Sequence, residues 1–308
     1  MKKYNLKAIG TLVWCIAGTT LTKESTPPSG GILLPEELQR KMNTVTIFIH
    51  GTLPPKPLLR IPMVNKFVGY PKGLHPLANI TEEFRLASLA RILCEEDPEL
   101  FNKDFFYLFG WSGRLSINKR RKAAKDLAHS LSLLKQRYTS EGISVSFRLI
   151  THSHGGNVAL HLSEFFTATP PFTIDELILL ACPVQKKTES YINHPLFSSI
   201  ISLYSHLDVA QRIDPQGIDN FLESVHSKGL KFTVSHLESI GPFFSSRHFK
   251  PTPHLRQVYV KFPSRGLLHN DFISEPYMRS LPTFMRSMKT VFKEKPYQEE
   301  LTYVIPSK

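Results

Sequence analysis

Residues 148–162 read RLITHSHGGNVALHL, a serine between two histidines with apolar residues before it and two glycines after it. The segment VSFRLI (145–150) reads as a β-strand, and GGNVALHLSEFF (155–166) reads as the helix that follows it. Ser153 falls at the turn between them. A sharp strand-to-helix turn that presents a nucleophilic serine needs small residues two before and two after it. Gly155 meets that condition; Thr151 is small but β-branched, a departure from glycine at that place. Gly156 lets the new helix pack closely on the sheet. At a helix N-terminus the positive end of the dipole favours a developing oxyanion. Two other readings stay open at this point. One is a tight turn with no chemistry. The other is a metal-ligand pair made by His152 and His154, which needs further His, Asp or Lys ligands at later strand ends.

Working outward, VTIFI (45–49) is a run of β-branched and aromatic residues without polar alternation, as in a strand buried on both faces. It ends in His50-Gly51-Thr52. Residues 53–80 read as a proline-rich loop, and 82–97 as an amphipathic helix. FFYLFGWSG (105–113) is a further strand that runs into a turn. Residues 116–138 have helical periodicity, with Ala124, Leu127, Leu131 and Leu134 on one face and basic residues on the other. IDELILLACP (174–183), FSSIISLYS (197–205) and RQVYVKFP (256–263) complete the strands, and 276–292 reads as a closing helix. Strands alternating with helices predict an α/β fold, a mostly parallel sheet flanked by helices on both faces. In such sheets ligands bind beyond the carboxyl ends of the strands. His50-Gly51, Trp111-Ser112, Ser153, Asp208 and His269 all follow strands.

A serine hydroxyl is a poor nucleophile without a base, and the base needs a carboxylate to orient it. In α/β-hydrolases, whose serine lies on such a turn, the acid and then the histidine follow in chain order. Asp208 is the first acid after FSSIISLYS; Asp214 is the runner-up. His269 lies just past the last strand in the glycine-containing loop SRGLLHND, with His248 and His254 as reserves. The oxyanion of an acyl-transfer intermediate needs two backbone N–H donors. His154, the residue after the serine, is one expected donor. Thr52 is the favoured second donor, with Leu53 as the alternative. His50, Gly51, Leu53 and Trp111 are expected to line the substrate site.

Together the segments FIHGT, FGWSG, LITHSHGGNVAL, YSHLDVAQRID and LLHND resemble the α/β-hydrolase superfamily, in particular its lipase-like serine esterases. The resemblance spans about residues 43–292. It implies a triad of Ser153, Asp208 and His269, an oxyanion hole after the His-Gly strand, and no metal or other cofactor for the step. The substrate it implies is a carboxylic ester, of a lipid-like kind. Thioesterases and amidases share this layout, and a non-catalytic binding protein on the same scaffold is a further alternative. The short segment before the first strand implies that the two leading antiparallel strands of larger members are reduced or absent.

The chain has 308 residues, 41% of them hydrophobic and 21% charged, which suits a globular protein rather than a disordered one. Its formal net charge of +12 admits an anionic membrane surface as a peripheral partner. No zinc-finger spacing, RNP motif or basic-aromatic alternation points to nucleic acid. Cys15, Cys94 and Cys182 are too few and too far apart for a disulfide framework. Residues 1–40 read as an N-terminal segment. MKKYNLK followed by AIGTLVWCIAGTTL has the layout of a secretory signal, though the same residues also suit a first strand. Residues 23–40 read as a linker. Envelope association or export and a cytoplasmic location therefore both remain open. Residues 41–295 are expected to form the domain, with a lid or lipid-facing insert at 215–255 that carries Phe232, Phe243, Phe244 and Phe249. Residues 296–308 are expected to form a tail.

Overall fold

The computed structural model describes residues 43–53, 71–167, 169–213, 245–294 and 301–306. The chain divides into two units, Met1–Arg40 and Lys41–Lys308; everything described belongs to the second. The signal-like N-terminus, most of the proline-rich loop and most of the 215–255 insert, with Asp214, lie outside the described residues.

Eight strands form one sheet: β1 (Asn43–Ile49), β2 (Gly73–Pro76), β3 (Phe106–Gly110), β4 (Val145–His152), β5 (Ile174–Leu180), β6 (Ile200–Tyr204), β7 (Leu255–Lys261) and β8 (Leu301–Val304). Their spatial order is β2-β3-β1-β4-β5-β6-β7-β8. Among the described residues, only β2 of these strands runs antiparallel, against β3. The fold is α/β with a mostly parallel sheet. β1 and β4 are buried throughout their central residues, as strands of a parallel sheet covered on both faces are.

The helices are α1 (Arg85–Glu96), α2 (Ile117–Ser140), α3 (His154–Leu160), α4 (Ala210–Ile213) and α5 (Glu275–Glu294). Two apolar cores lie on the two faces of the sheet. α2 and α3 place Leu127, Leu131, Val158 and Leu160 against Ile47, Leu149 and Leu177. α1 and α5 place Leu86, Leu93, Leu281 and Phe284 against Phe48, Ile150 and Leu203 on the other face. The pleat supplies this split, because successive side chains of one strand point to opposite faces.

Three local readings change. Residues 73–76, expected in a loop, add a four-residue antiparallel strand at the β3 edge. Pro76 is tolerated there because an edge strand does not need every ladder donor. Residues 301–304, expected in a tail, pair in parallel with β7, and the Ile305 N–H donates to the Lys261 carbonyl at 2.9 Å. Phe249, expected on a lipid-facing insert, is 2% exposed and packs in the core, with its backbone held by Gln257.

Strand order reverses around β1. The chain passes from β1 to β3 on one side, then crosses back through α2 to β4 on the other. Such a switch opens a crevice at the carboxyl ends of the two central strands. His50 and Ser153 stand at the ends of β1 and β4.

Candidate active site

Ser153 has φ 52° and ψ −130°. It and Ala181 are the only non-glycine residues with positive φ among the described residues. Such a conformation costs on the order of 1–3 kcal/mol and persists only where the surroundings enforce it. Here they do. The Ser153 N–H donates to the Leu180 carbonyl at 2.8 Å, which extends the β4–β5 ladder one residue into the turn. Helix α3 starts at the next residue. A Cβ at Gly155 would lie 2.6 Å from the carbonyl oxygens of both Ile49 and His50, and one at Gly156 would lie 2.5 Å from Cys182 Sγ. The two glycines are what let the new helix descend against β1 and β5. Thr151, at the place where a glycine was expected, is accommodated: it is fully buried and its hydroxyl donates to the Ile178 carbonyl at 3.1 Å.

The loop after β1 lies directly on this turn. A Cβ at Gly51 would lie 2.7 Å from Ser153 Cβ. The loop is locked from the β3 side. The Trp111 N–H donates to His50 Nε2 at 3.0 Å, the Trp111 indole donates to the His50 carbonyl at 2.8 Å, and the two rings stack with centroids 5.6 Å apart. His50 Nδ1–H in turn donates to the Gly51 carbonyl at 2.7 Å. With both ring nitrogens engaged inside the protein, His50 shapes the loop rather than offering a polar atom to a ligand. Burial lowers its pKa to about 4, so the ring stays neutral. The Leu53 N–H donates to the Gly113 carbonyl at 2.8 Å. That bond removes Leu53 as an oxyanion donor. Thr52, between the two locked residues, is exposed, and its N–H has no hydrogen-bond partner among the described residues.

Asp208 and His269, 61 residues apart in sequence, meet. His269 Nδ1–H donates to Asp208 Oδ2 at 2.8 Å. Asp208 is fully buried, and its other oxygen accepts from the Gln211 N–H at 2.9 Å. The acid loop is held twice more. Gln211 Nε2 donates to the Cys182 carbonyl at 2.7 Å, and Arg247 donates to the carbonyls of Asp208 and His206. The turn that carries His269 is fixed by Asp271, which accepts from the Leu268 N–H at 2.7 Å and pairs with Arg265. Gln211, Arg247 and Asp271 carried no signal in the sequence beyond their nearness to Asp208 and His269. No hydrogen bond joins Ser153 Oγ to His269 among the described residues. A hydroxyl rotor without substrate commonly sits in this looser state.

The flanking histidines diverge. His152 Nε2–H donates to the His269 carbonyl at 3.1 Å, whereas His154 Nδ1 lies 3.4 Å from Asn157 Nδ2. Among the described residues no group of three or more His, Cys, Asp or Glu is placed to hold a metal ion. His248, a reserve for the base, packs on Tyr204, and His254 contacts the Ile192 carbonyl. Among the described residues, the side-chain partners of Asp208 are His269 and the Gln211 N–H.

No protein-family model and no curated protein sequence matches the chain. Among solved structures, it is similar to the phospholipase PlaB from Legionella pneumophila in complex with thio-NAD, at 15% identity and a TM-score of 0.27 over 46% of this chain. The chain spans 25% of the length of that phospholipase. The lin2722 product from Listeria innocua matches at 14% identity and a TM-score of 0.37, over 86% of this chain and 100% of that one. An esterase from Pyrobaculum calidifontis matches at 10% identity and a TM-score of 0.35, over 82% of this chain and 77% of that one.

Proposed function

We propose that the protein is a serine hydrolase that cleaves carboxylic esters with an apolar acyl group. The observation that carries this reading is the buried Asp208 carboxylate holding His269 Nδ1–H, on a loop that meets the turn bearing the strained Ser153. Asp208 fixes the tautomer that leaves His269 Nε2 as the proton acceptor. His269 takes the Ser153 hydroxyl proton as Oγ attacks the carbonyl, then delivers it to the leaving alcohol. Water hydrolyses the acyl-enzyme by the same route in reverse. The Thr52 and His154 N–H groups are the donors assigned to the oxyanion; losing one such donor costs on the order of 3 kcal/mol of transition-state stabilisation.

The apolar preference rests on four exposed side chains. Leu115, Leu207, Val209 and Leu268 are exposed and lie on the loops after β3, β6 and β7, the same sheet end as Ser153. Exposed apolar side chains at that sheet end favour an acyl chain over a polar group. Peripheral contact with an anionic membrane fits the net charge of +12 and is part of this proposal. Among the described residues no helix is long and apolar enough to cross a membrane.

Hydrolysis of a 4-nitrophenyl ester series of increasing acyl length, with matched thioesters and amides and with Ser153→Ala as control, tests the reading. Turnover that rises with chain length, prefers the oxygen ester and vanishes in the variant is expected. Equal turnover by wild type and variant contradicts it, and liposome binding without turnover would favour a binding protein on this scaffold.

A further inference from the structure

His152 is buried at the end of β4, one residue before Ser153, yet its side chain reaches a loop 117 residues away. Its Nε2–H donates to the backbone carbonyl of His269 at 3.1 Å, and the two imidazoles lie with ring centroids 4.8 Å apart at 49°. The opposite side of His152 faces Gly51: a Cβ there would lie 3.1 Å from its Nδ1. One side chain therefore touches the base and backs the loop assigned to the oxyanion hole.

We propose that His152 is a positioning residue for His269, docking the base-bearing loop onto the turn that presents Ser153. The proposal rests on the reading of Ser153 and His269 as nucleophile and base. Asp208 sets the tautomer and the ring plane of His269, and Asp271 braces the turn from within, but neither bonds the His269 backbone to the Ser153 turn. The bond from His152 fixes the backbone of the same residue, and the ring contact limits its tilt. At the far end of the turn, Arg85 of α1 donates to the Ile273 carbonyl at 3.1 Å, so residues 269–273 are held at both ends.

A brace beside a base must not compete for its proton. The charged and titratable groups that face His152 are His269, His50 and Arg85, all cationic when charged. Burial first, then the neighbouring His269, lowers the pKa of His152 to about 3. It stays neutral while His269 becomes an imidazolium. A residue without a donor in this place would keep the packing and release the loop.

His152→Phe keeps a ring and removes the donor; His152→Gln keeps an N–H near the position of Nε2. Both are compared with wild type for ester turnover, for its pH profile, and for the rate at which a fluorophosphonate labels Ser153. His152→Phe is expected to slow labelling and kcat about 10–100-fold, with KM little changed, because small misplacement of a catalytic group costs that much. His152→Gln is expected to recover most of the loss, and the acid limb of the pH profile is expected to move in the Phe variant only. Nitrogen-15 NMR of wild-type histidines is expected to show His152 as the Nε2–H tautomer, which needs no variant to fold. His152→Phe labelling at the wild-type rate with an unchanged pH profile would overturn the proposal, as would the Nδ1–H tautomer. Failure of wild-type Ser153 to label at all would instead overturn the hydrolase reading on which the proposal stands.

Discussion

Gly51 is packed on Ser153 so closely that a Cβ at residue 51 would lie 2.7 Å from Ser153 Cβ and 3.0 Å from the His152 carbonyl oxygen. Only a glycine lets the loop after β1 approach the turn after β4 at this distance. Gly51→Ala must push the loop outward and carry Thr52 with it. Activity is expected to fall about 10²–10³-fold, the effect of removing an oxyanion donor. Stability is expected to fall by about 1–3 kcal/mol, as for an overpacked site. Steady-state kinetics with a denaturation curve on the same sample separates the two effects.

The backbone of Ser153 predicts a stability effect opposite to the catalytic one. At φ 52° and ψ −130° a side chain is strained and a glycine is not. Ser153→Gly is expected to abolish turnover and to stabilise the fold by about 1 kcal/mol. Ser153→Ala is expected to abolish turnover without that gain, since its Cβ remains. Thermal unfolding of the two variants side by side tests this.

Acid sensitivity follows from the two buried histidines. Burial lowers the pKa of His50 to about 4 and that of His152 to about 3, from the ordinary value of 6.5. Between those values the unfolded chain binds protons that the folded chain does not, so stability rises with pH in this window. The contribution is fully present above pH 6.5 and is lost as pH falls toward 4 and then 3. Chemical denaturation from pH 8 to 4 is expected to lose on the order of a few kcal/mol below pH 6.5. His50→Gln is expected to flatten part of that slope, at the cost of the Trp111 lock. Asp97 adds a second, more acidic window. Its hydrogen bonds from Arg286 hold its pKa below the ordinary carboxylate value, so their contribution disappears only as pH falls through that lower range.

Removing the charge of Asp208 should uncouple geometry from chemistry. Asp208→Asn can keep a hydrogen bond to His269 but reverses the tautomer, since an amide N–H would donate to Nδ1. A loss of about 10³–10⁴-fold in kcat with little change in melting temperature is expected. Retained activity would remove Asp208 from the proposed triad.

Much of this arrangement was legible because its signals are local. The apolar run at 45–49 and the strand segment at 145–150 mark β1 and β4, and the glycines at 51, 155 and 156 mark the places where backbones meet. Asp208 and His269 could be reached as polar residues just past strand ends, and the structure joins them by a hydrogen bond. What could not be read depends on contacts between distant segments. The stacking of His50 on Trp111 and the bond from Leu53 to Gly113 span about sixty residues, and they change what His50 and Leu53 can do. Strands β2 and β8 have four residues each, at the sheet edges, too short to show a period. Arg120 lies among the basic residues assigned to the face opposite the apolar one, yet it is 1% exposed and donates to the Leu115 carbonyl and to Gln185. Composition alone cannot tell such an arginine from its exposed neighbours.

Arg148 on β4 makes the same point with a larger consequence. It is buried beside its register partner Glu176 on β5, donates to that carboxylate at 2.6 Å and to the Leu100 carbonyl at 2.7 Å, and stacks over Phe101. Arg148→Ala leaves Glu176 without its cation and empties the space over Phe101. A loss of about 3–5 kcal/mol is expected, as for breaking a buried pair. Arg148→Met, paired with Glu176→Leu, is expected to recover most of it, which a double-mutant cycle by urea denaturation measures.

Covalent labelling asks whether Ser153 is an activated nucleophile. Purified protein is treated with a fluorophosphonate, which reacts with serines activated by a base and an oxyanion hole, and the adduct is mapped by peptide mass spectrometry. The account predicts one adduct, on Ser153, absent in Ser153→Ala and strongly slowed in Asp208→Asn. A folded protein that takes no label on Ser153, with or without detergent, would contradict it.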